Sequence, residues 1–281
     1  MVEYHTQPDI IKYKTPILHL GNLSNEKIFH DDLIPEDKTS NHNIPSNGAW
    51  LYYEDTLGYF KIPITNGSFL KEVLGVKITK YFNLPTVEYQ LADAIWEYKN
   101  TRYHGFGLFS KYARKSECQY HTLETICDVE YDSSNLSILN ILDDIYSDQL
   151  IIKQMRYFIV RDFLTQEYDR IPSEILIENN KGKINIGPLM DYEMEWIDYP
   201  DKEYKLKGYL TFNLDNPEIK SQVQNDEYFK EALERLMNID IIKLLKEIQE
   251  ENQIRLIDYD IENFKRQEEK VKEYVKSKKI L

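Results

Sequence analysis

The sequence predicts an α+β fold with a β-rich first part and a mainly helical second part. Short β-forming runs separated by turn residues dominate up to about residue 107. From about Leu123 onward the apolar residues instead follow helical spacing, as they do between Phe229 and Met237. We therefore expect two regions, residues 1–107 and residues 108–281.

The β-rich region contains a predicted hairpin followed by a helix. Residues 49–53 and 57–62 are rich in β-forming side chains, and a short turn separates them. Pro63 to Gly67 end the second strand, and a helix is predicted from Phe69 to Phe82 because Asn66 or Ser68 can cap it. Further strands are predicted at residues 17–20, 87–92 and 107–111, and residues 1–45 form an N-terminal extension or an edge strand.

The helical region contains a second predicted hairpin, which runs from Ile175 to Gly187. Its turn carries Asn and Gly, the residue types that tolerate a positive φ. The hairpin places Asp169 at its entrance and Asp191 at its exit. Both carboxylates are therefore expected at one end of a rigid two-stranded unit. Helices are predicted over residues 136–145, 150–164, 229–237 and 241–248, with a last charged helix around residues 271–275.

Composition limits the function classes. The net charge is −13, with 48 acidic and 35 basic residues. Such a surface repels phosphate backbones, so we expect no nucleic-acid partner, although a local basic groove can still bind ATP. No apolar run reaches the length of a membrane span, so we expect no membrane partner.

The expected compartment is the cytoplasm. Residues Met1 to Lys14 are polar and lack the apolar segment of a secretory signal, although a transported effector without such a signal would look the same. Cys118 and Cys127 lack metal-ligand spacing and are expected to be free thiols. The histidines form no H-E-x-x-H motif, and there is no G-x-S-x-G motif to support hydrolase chemistry.

Four short segments together resemble one protein family. Asp169-Arg170-Ile171-Pro172-Ser173-Glu174 resembles the D-R-H-x-x-N catalytic loop of the HipA-like serine/threonine kinases, and phosphatidylinositol kinases carry a similar loop. Pro188-Leu189-Met190-Asp191 resembles the A-P-x-x-D segment that follows it. Ser46-Asn47-Gly48 resembles the family's phosphate loop, and Phe60-Lys61-Ile62-Pro63 resembles its V-K-x-P strand. The segments agree with the family in order and spacing over about residues 43–195.

The resemblance implies a two-lobed protein-kinase-like fold that binds ATP between the lobes with Mg²⁺ or Mn²⁺. In that family's pattern, Asp169 orients or deprotonates the acceptor hydroxyl, with Arg170 beside it. Asp191 and Glu174 take the metal-ligand positions. Lys61 and the phosphate loop contact the nucleotide phosphates, with Glu72 as the candidate helix partner of the lysine. The resemblance also implies a protein acceptor with a serine or threonine hydroxyl.

Three positions depart from the family pattern. The family histidine is Ile171 here, and the metal-binding asparagine is Glu174. The helix glutamate that pairs with the nucleotide lysine aligns best with Lys71. A one-residue shift turns a helical side chain by about 100°, which leaves open whether Glu72 faces Lys61.

These departures leave alternatives open. The chain is either an active kinase or a degenerate kinase fold that binds nucleotide or protein without turnover. Phosphorylation of a small molecule or a lipid is a third hypothesis, and the negative charge disfavours lipid. From the residues alone, Lys61 is either a surface lysine on an edge strand or a phosphate-binding lysine, and Asp169 is either a turn-capping or a catalytic residue.

Overall fold

The computed structural model describes most of the chain in two compact units. The first unit comprises Met1–Val76, Val87–Ser116 and Lys246–Leu256, and the second comprises Lys77–Thr86, Glu117–Leu245 and Ile257–Leu281. The predicted lobe boundary at residue 107 stays a prediction. The described residues are 2–5, 18–23, 48–53, 56–61, 66–98, 101–111, 117–127, 143, 146, 148–167, 170, 172–189, 192, 212–252 and 258–281.

The first unit is built on a six-stranded sheet formed by the described residues. Its strands are β1 (Val2–His5), β2 (Leu18–Leu23), β3 (Gly48–Tyr53), β4 (Thr56–Lys61), β5 (Tyr89–Tyr98) and β6 (Thr101–Lys111). The order is β2-β5-β6-β4-β3, and β1 also pairs with β6. The predicted hairpin is confirmed as β3 and β4, and the strand predicted at residues 17–20 is confirmed as β2.

Strand β4 lies inside this sheet. It pairs with β3 on one side and with β6 on the other. The interpretation of Lys61 as a surface lysine on an edge strand is therefore wrong. Phe60, the residue before it, is completely buried, and Leu108 and Phe109 on β6 are almost completely buried.

The helix predicted after the first hairpin is confirmed as α1 (Asn66–Tyr81). Its buried apolar side chains include Leu70, Leu74 and Ile78, which recur every fourth residue, and also Val76. Val73 and Tyr81 on the same helix are only partly buried. Two charged side chains, Lys71 and Glu72, are buried as well, so apolar periodicity alone does not identify the buried side of this helix.

The second unit contains a three-stranded sheet, β7 (Gln119–Thr122), β8 (Leu176–Asn180) and β9 (Lys183–Ile186), in that order. The predicted hairpin is confirmed as β8 and β9. Lys181 and Gly182 at its turn have φ of 52° and 91°, and the Asn179 side chain accepts a hydrogen bond of 2.8 Å from the Gly182 N–H. Strand β7 was not predicted because its side chains are polar or only partly buried.

The remaining described helices are α2 to α7. The helix predicted over residues 150–164 is confirmed as α3 (Gln149–Thr165): Asp148 caps its first turn and Gln166, with φ of 57°, ends it. The prediction over residues 136–145 lies outside the described residues apart from Asp143. The helices are α2 (Leu123–Cys127), α3 (Gln149–Thr165), α4 (Pro217–Asn225), α5 (Glu227–Asn238), α6 (Ile241–Asn252) and α7 (Asp258–Ser277).

Two predictions about the whole chain also meet the structure here. Cys118 and Cys127 are both free thiols, as expected. Among the helices described above, none combines the length and the apolar content needed to cross a lipid bilayer.

Candidate functional site

Lys61 is held by a buried carboxylate. It is the last residue of β4, and its ammonium group forms an ion pair and hydrogen bond with Glu72 on α1. The Glu72 side chain is 2% exposed and that of Lys61 is 17% exposed. Because a buried carboxylate is costly without a partner, this pair holds the lysine ammonium group at the end of the strand. The structure thereby answers the question left open by the sequence: Glu72 faces Lys61.

Part of the predicted phosphate loop lies beside this ion pair. Gly48 is the register partner of Lys61 in the β3–β4 hairpin. On the other side of β4, a Cβ atom on Gly107 would lie 2.5 Å from the Lys61 carbonyl oxygen, so only glycine allows this approach of β6. Ser46 and Asn47 lie outside the described residues. Of the predicted phosphate-binding residues, Gly48, Lys61 and Glu72 are therefore brought together.

The two carboxylates Asp169 and Asp191 lie outside the described residues, as does Ile171. Their chain neighbours Arg170 and Tyr192 are described, and both are almost completely buried. Within the second unit, the Arg170 guanidinium packs against the Tyr192 ring.

Arg170 belongs to a group of four buried charged residues, which we call the charge cluster: Arg161, Asp162, Glu167 and Arg170. Arg170 Nε lies 3.2 Å from Asp162 Oδ2, and Arg170 Nη2 lies 3.8 Å from Glu167 Oε2. Arg161 Nη2 lies 3.3 Å from Glu167 Oε1, and Arg161 also donates a hydrogen bond to Asp162. Two positive and two negative charges thus compensate one another within the protein interior.

Electrostatics in the cluster keep Arg170 charged. Burial alone would lower the pKa of its guanidinium, but the carboxylates of Asp162 and Glu167 outweigh this and raise that pKa above its ordinary value. Glu174 adds a smaller contribution in the same direction.

Tyr192 packs against both arginines of the charge cluster. The guanidinium carbons of Arg161 and Arg170 lie 4.5 Å and 5.9 Å from the centre of its ring. Its hydroxyl lies 2.5 Å from Thr86 Oγ1 and donates to the Leu189 carbonyl oxygen at 3.2 Å. Burial raises the pKa of the Tyr192 phenol, and Arg161 partly offsets this. Tyr192, which follows Asp191, therefore contacts the same charge cluster to which Arg170, the residue after Asp169, belongs.

Glu174, the predicted second metal ligand, ends a 3₁₀ turn (Pro172–Glu174) and is exposed. Its carboxylate is the kind of hard-oxygen ligand that Mg²⁺ prefers, and its role as a metal ligand stays a prediction. Within the described part of the chain, no group of three or more His, Cys, Asp or Glu residues could hold a metal ion.

Sequence reasoning missed the charge cluster and the part played by Tyr192. A signal was present, because Arg161 and Asp162 interrupt the long apolar stretch of α3. Charged residues inside such a stretch are rarely buried unless they are paired. Their partners Glu167 and Arg170 lie in the loop that follows, for which the sequence pattern predicts only that it is polar.

Comparison with known proteins gives matches in structure alone. No family model matches the chain, and no curated protein matches it in sequence. The crystal structure of CtkA, a proinflammatory kinase of Helicobacter pylori, superposes with a TM-score of 0.55 at 14% identity, over 80% of this chain and 90% of that chain. HipA from the Shewanella oneidensis MR-1 toxin–antitoxin complex with HipB and operator DNA gives a TM-score of 0.50 at 7% identity, over 82% of this chain and 63% of that chain.

These matches show the fold. The chain has a HipA-like kinase fold, and the predicted α+β kinase-like fold class is confirmed.

Proposed function

We propose that this chain is an ATP-dependent phosphotransferase that acts on a serine or threonine hydroxyl of a protein. The observation that carries the proposal is the ion pair between Lys61 and the buried Glu72, formed opposite Gly48 within a HipA-like kinase fold. A lysine in an interior strand, held by a helix carboxylate, is the arrangement by which kinases place a positive charge on nucleotide phosphates.

In this proposal Lys61 binds nucleotide phosphate oxygens and Glu72 orients the lysine. Gly48, with Ser46 and Asn47, lets the backbone approach the phosphates because glycine carries no side chain. ATP with Mg²⁺ or Mn²⁺ supplies the transferable phosphoryl group and neutralises part of its charge.

The roles proposed for the acceptor hydroxyl and the metal ion belong to residues of the second unit. Asp169 accepts the proton of the acceptor hydroxyl or orients that hydroxyl, and Arg170 supports it from the charge cluster. Asp191 and Glu174 would hold the metal ion through carboxylate oxygens. The exposure of Glu174 and the burial of Arg170 support this division of roles.

A second candidate function is nucleotide or protein binding without turnover. It is favoured by Glu174, which places a negative charge where the family carries a neutral asparagine.

We also propose a protein partner, no nucleic-acid or membrane partner, and a location in the cytoplasm. The support is the net charge of −13 and the two free thiols, which suit a reducing compartment.

The test is transfer of the labelled γ-phosphate from ATP, with Mg²⁺ or Mn²⁺, to the protein itself or to an added protein substrate. Wild type is compared with Asp169→Ala, Asp191→Ala and the control Asp215→Ala, an exposed aspartate. We expect labelling by wild type and by the control, and none by the other two variants. Thermal stabilisation by ATP without labelling would favour the binding module, and no response to ATP at all would contradict both functions.

A further inference from the structure

We propose that Asp162 is the positioning residue of this site: through the charge cluster it holds Arg170 and Tyr192, the residues that follow Asp169 and Asp191 in the chain, in a fixed relation. The inference rests on the proposed function for its catalytic consequence, although the structural coupling can be measured independently. Asp162 itself contacts neither segment's carboxylate in this proposal and acts through Arg170 and Arg161.

Asp162 contacts Arg170, the residue that follows Asp169 in the chain. Asp162 lies in the last turn of α3, a helix whose side chains are buried along most of its length. Its two oxygens serve different partners: Oδ2 faces Arg170 at 3.2 Å, and Oδ1 accepts from Arg161. Arg170 directly follows Asp169 in the chain, so the ion pair that restrains its buried guanidinium acts on the residue next to that carboxylate.

Arg161 contacts Tyr192, the residue that follows Asp191 in the chain. Tyr192 directly follows Asp191, and its ring lies over the Arg161 guanidinium at 4.5 Å. The hydroxyl group of the ring is bonded to Thr86 and to the Leu189 carbonyl, which fixes the ring's other end. Asp162 therefore orients, through two arginines, the groups next to both working carboxylates.

Burying the four charges of the cluster costs desolvation energy, and apolar side chains of similar volume commonly give equal or greater stability. Ion pairs differ from apolar packing because opposite charges favour one pairing of the segments that carry them, and within this cluster the Arg161–Asp162 contact is also a hydrogen bond. We therefore assign the cluster to positioning rather than to stability.

The test combines hydrogen–deuterium exchange with kinetics on Asp162→Asn, which keeps the side-chain volume and removes the charge. Asp143→Asn is the control, because Asp143 binds Arg156, a second buried arginine of α3, at 2.8 and 2.5 Å, while Arg156 keeps Asp226 as a further partner. Removing one partner of a buried pair can prevent folding. The double variant Asp162→Leu/Arg170→Met is therefore measured as well, since it leaves Arg161 and Glu167 as a balanced pair.

We expect peptides that cover residues 167–171 and 189–193 to exchange about tenfold faster or more in Asp162→Asn and in the double variant, relative to peptides from α5 in the same protein. In Asp143→Asn these two peptides should exchange as in wild type. In phosphotransfer, Asp162→Asn should lower kcat about ten- to hundredfold and leave the KM for ATP within about twofold, because the Lys61–Glu72 pair is unchanged.

Unchanged exchange in either peptide in both Asp162 variants would overturn the inference, whatever the kinetics show. Faster exchange in both peptides supports the coupling even if wild type transfers no phosphate, a result that would refute the proposed function alone. A fall in kcat of the same size in Asp143→Asn would also overturn the inference, because the loss would then follow from any weakened arginine pair on α3.

Discussion

Replacing Glu72 with glutamine tests the support of the nucleotide lysine. Glu72→Gln keeps the length of the side chain and one acceptor oxygen but removes the charge that pairs with Lys61. A hydrogen bond to a charged group contributes about 1.5–3 kcal/mol. Lys61 is 17% exposed, so water can solvate part of its charge. We therefore expect Glu72→Gln to lower the free energy of unfolding by about 2 kcal/mol, whereas breaking a fully buried pair costs about 3–5 kcal/mol.

The same free energy sets the expected kinetic effect. If the transition state depends on the lysine's position, about 2 kcal/mol corresponds to a fall of about 30-fold in kcat/KM for ATP. The assay is initial-rate transfer of labelled phosphate, together with urea unfolding of the same preparations. Glu250→Gln, an exposed glutamate on α6, is the control and should match wild type in both assays. If Glu72→Gln transfers phosphate at the wild-type rate and unfolds at the wild-type urea concentration, the assigned support of Lys61 is refuted.

Three further changes have defined outcomes. Gly107→Ala places a methyl group 2.5 Å from the Lys61 carbonyl oxygen and should cost about 1–3 kcal/mol in urea unfolding, whereas an unchanged midpoint would contradict the tight β4–β6 contact. Tyr192→Phe removes the hydroxyl bonded to Thr86 and should cost about 1 kcal/mol in the same measurement; no loss would count against that bond. Burial is the larger cause and the nearby Asp215 the smaller cause that raise the pKa of Tyr274 to about 12 in the folded protein. Its contribution to stability is therefore complete below pH 10 and lost as the pH rises to about 12, so Tyr274→Phe should flatten this alkaline loss in a series of unfolding curves.

Local sequence signals predicted the main elements of the fold. The hairpins β3–β4 and β8–β9 follow from β-forming runs on either side of turn residues, and α3 and α5 follow from apolar spacing. These elements could be predicted because neighbouring residues determine them. Strand β7 could not, since it has no apolar run and forms only by pairing with β8, which lies more than fifty residues away in the chain.

The candidate site divides in the same way. The order of Lys61, Asp169 and Asp191 was visible in the sequence as a family resemblance. Glu72 was a candidate partner of Lys61, but the sequence left open whether it faces the lysine, because this depends on the rotation of α1 against the sheet rather than on spacing. The charge cluster was also missed: Asp162 and Arg170 are partners only because the chain turns back after α3.

The most direct test of the two-carboxylate site is the anomalous scattering of Mn²⁺ in crystals grown with a non-hydrolysable ATP analogue. The proposed function predicts a manganese peak within coordination distance, about 2.2 Å, of an Asp191 carboxylate oxygen and in contact with the analogue's phosphates. Asp191→Asn crystals should lose most of that peak. A bound analogue whose manganese contacts no oxygen of Asp191 would contradict the assignment.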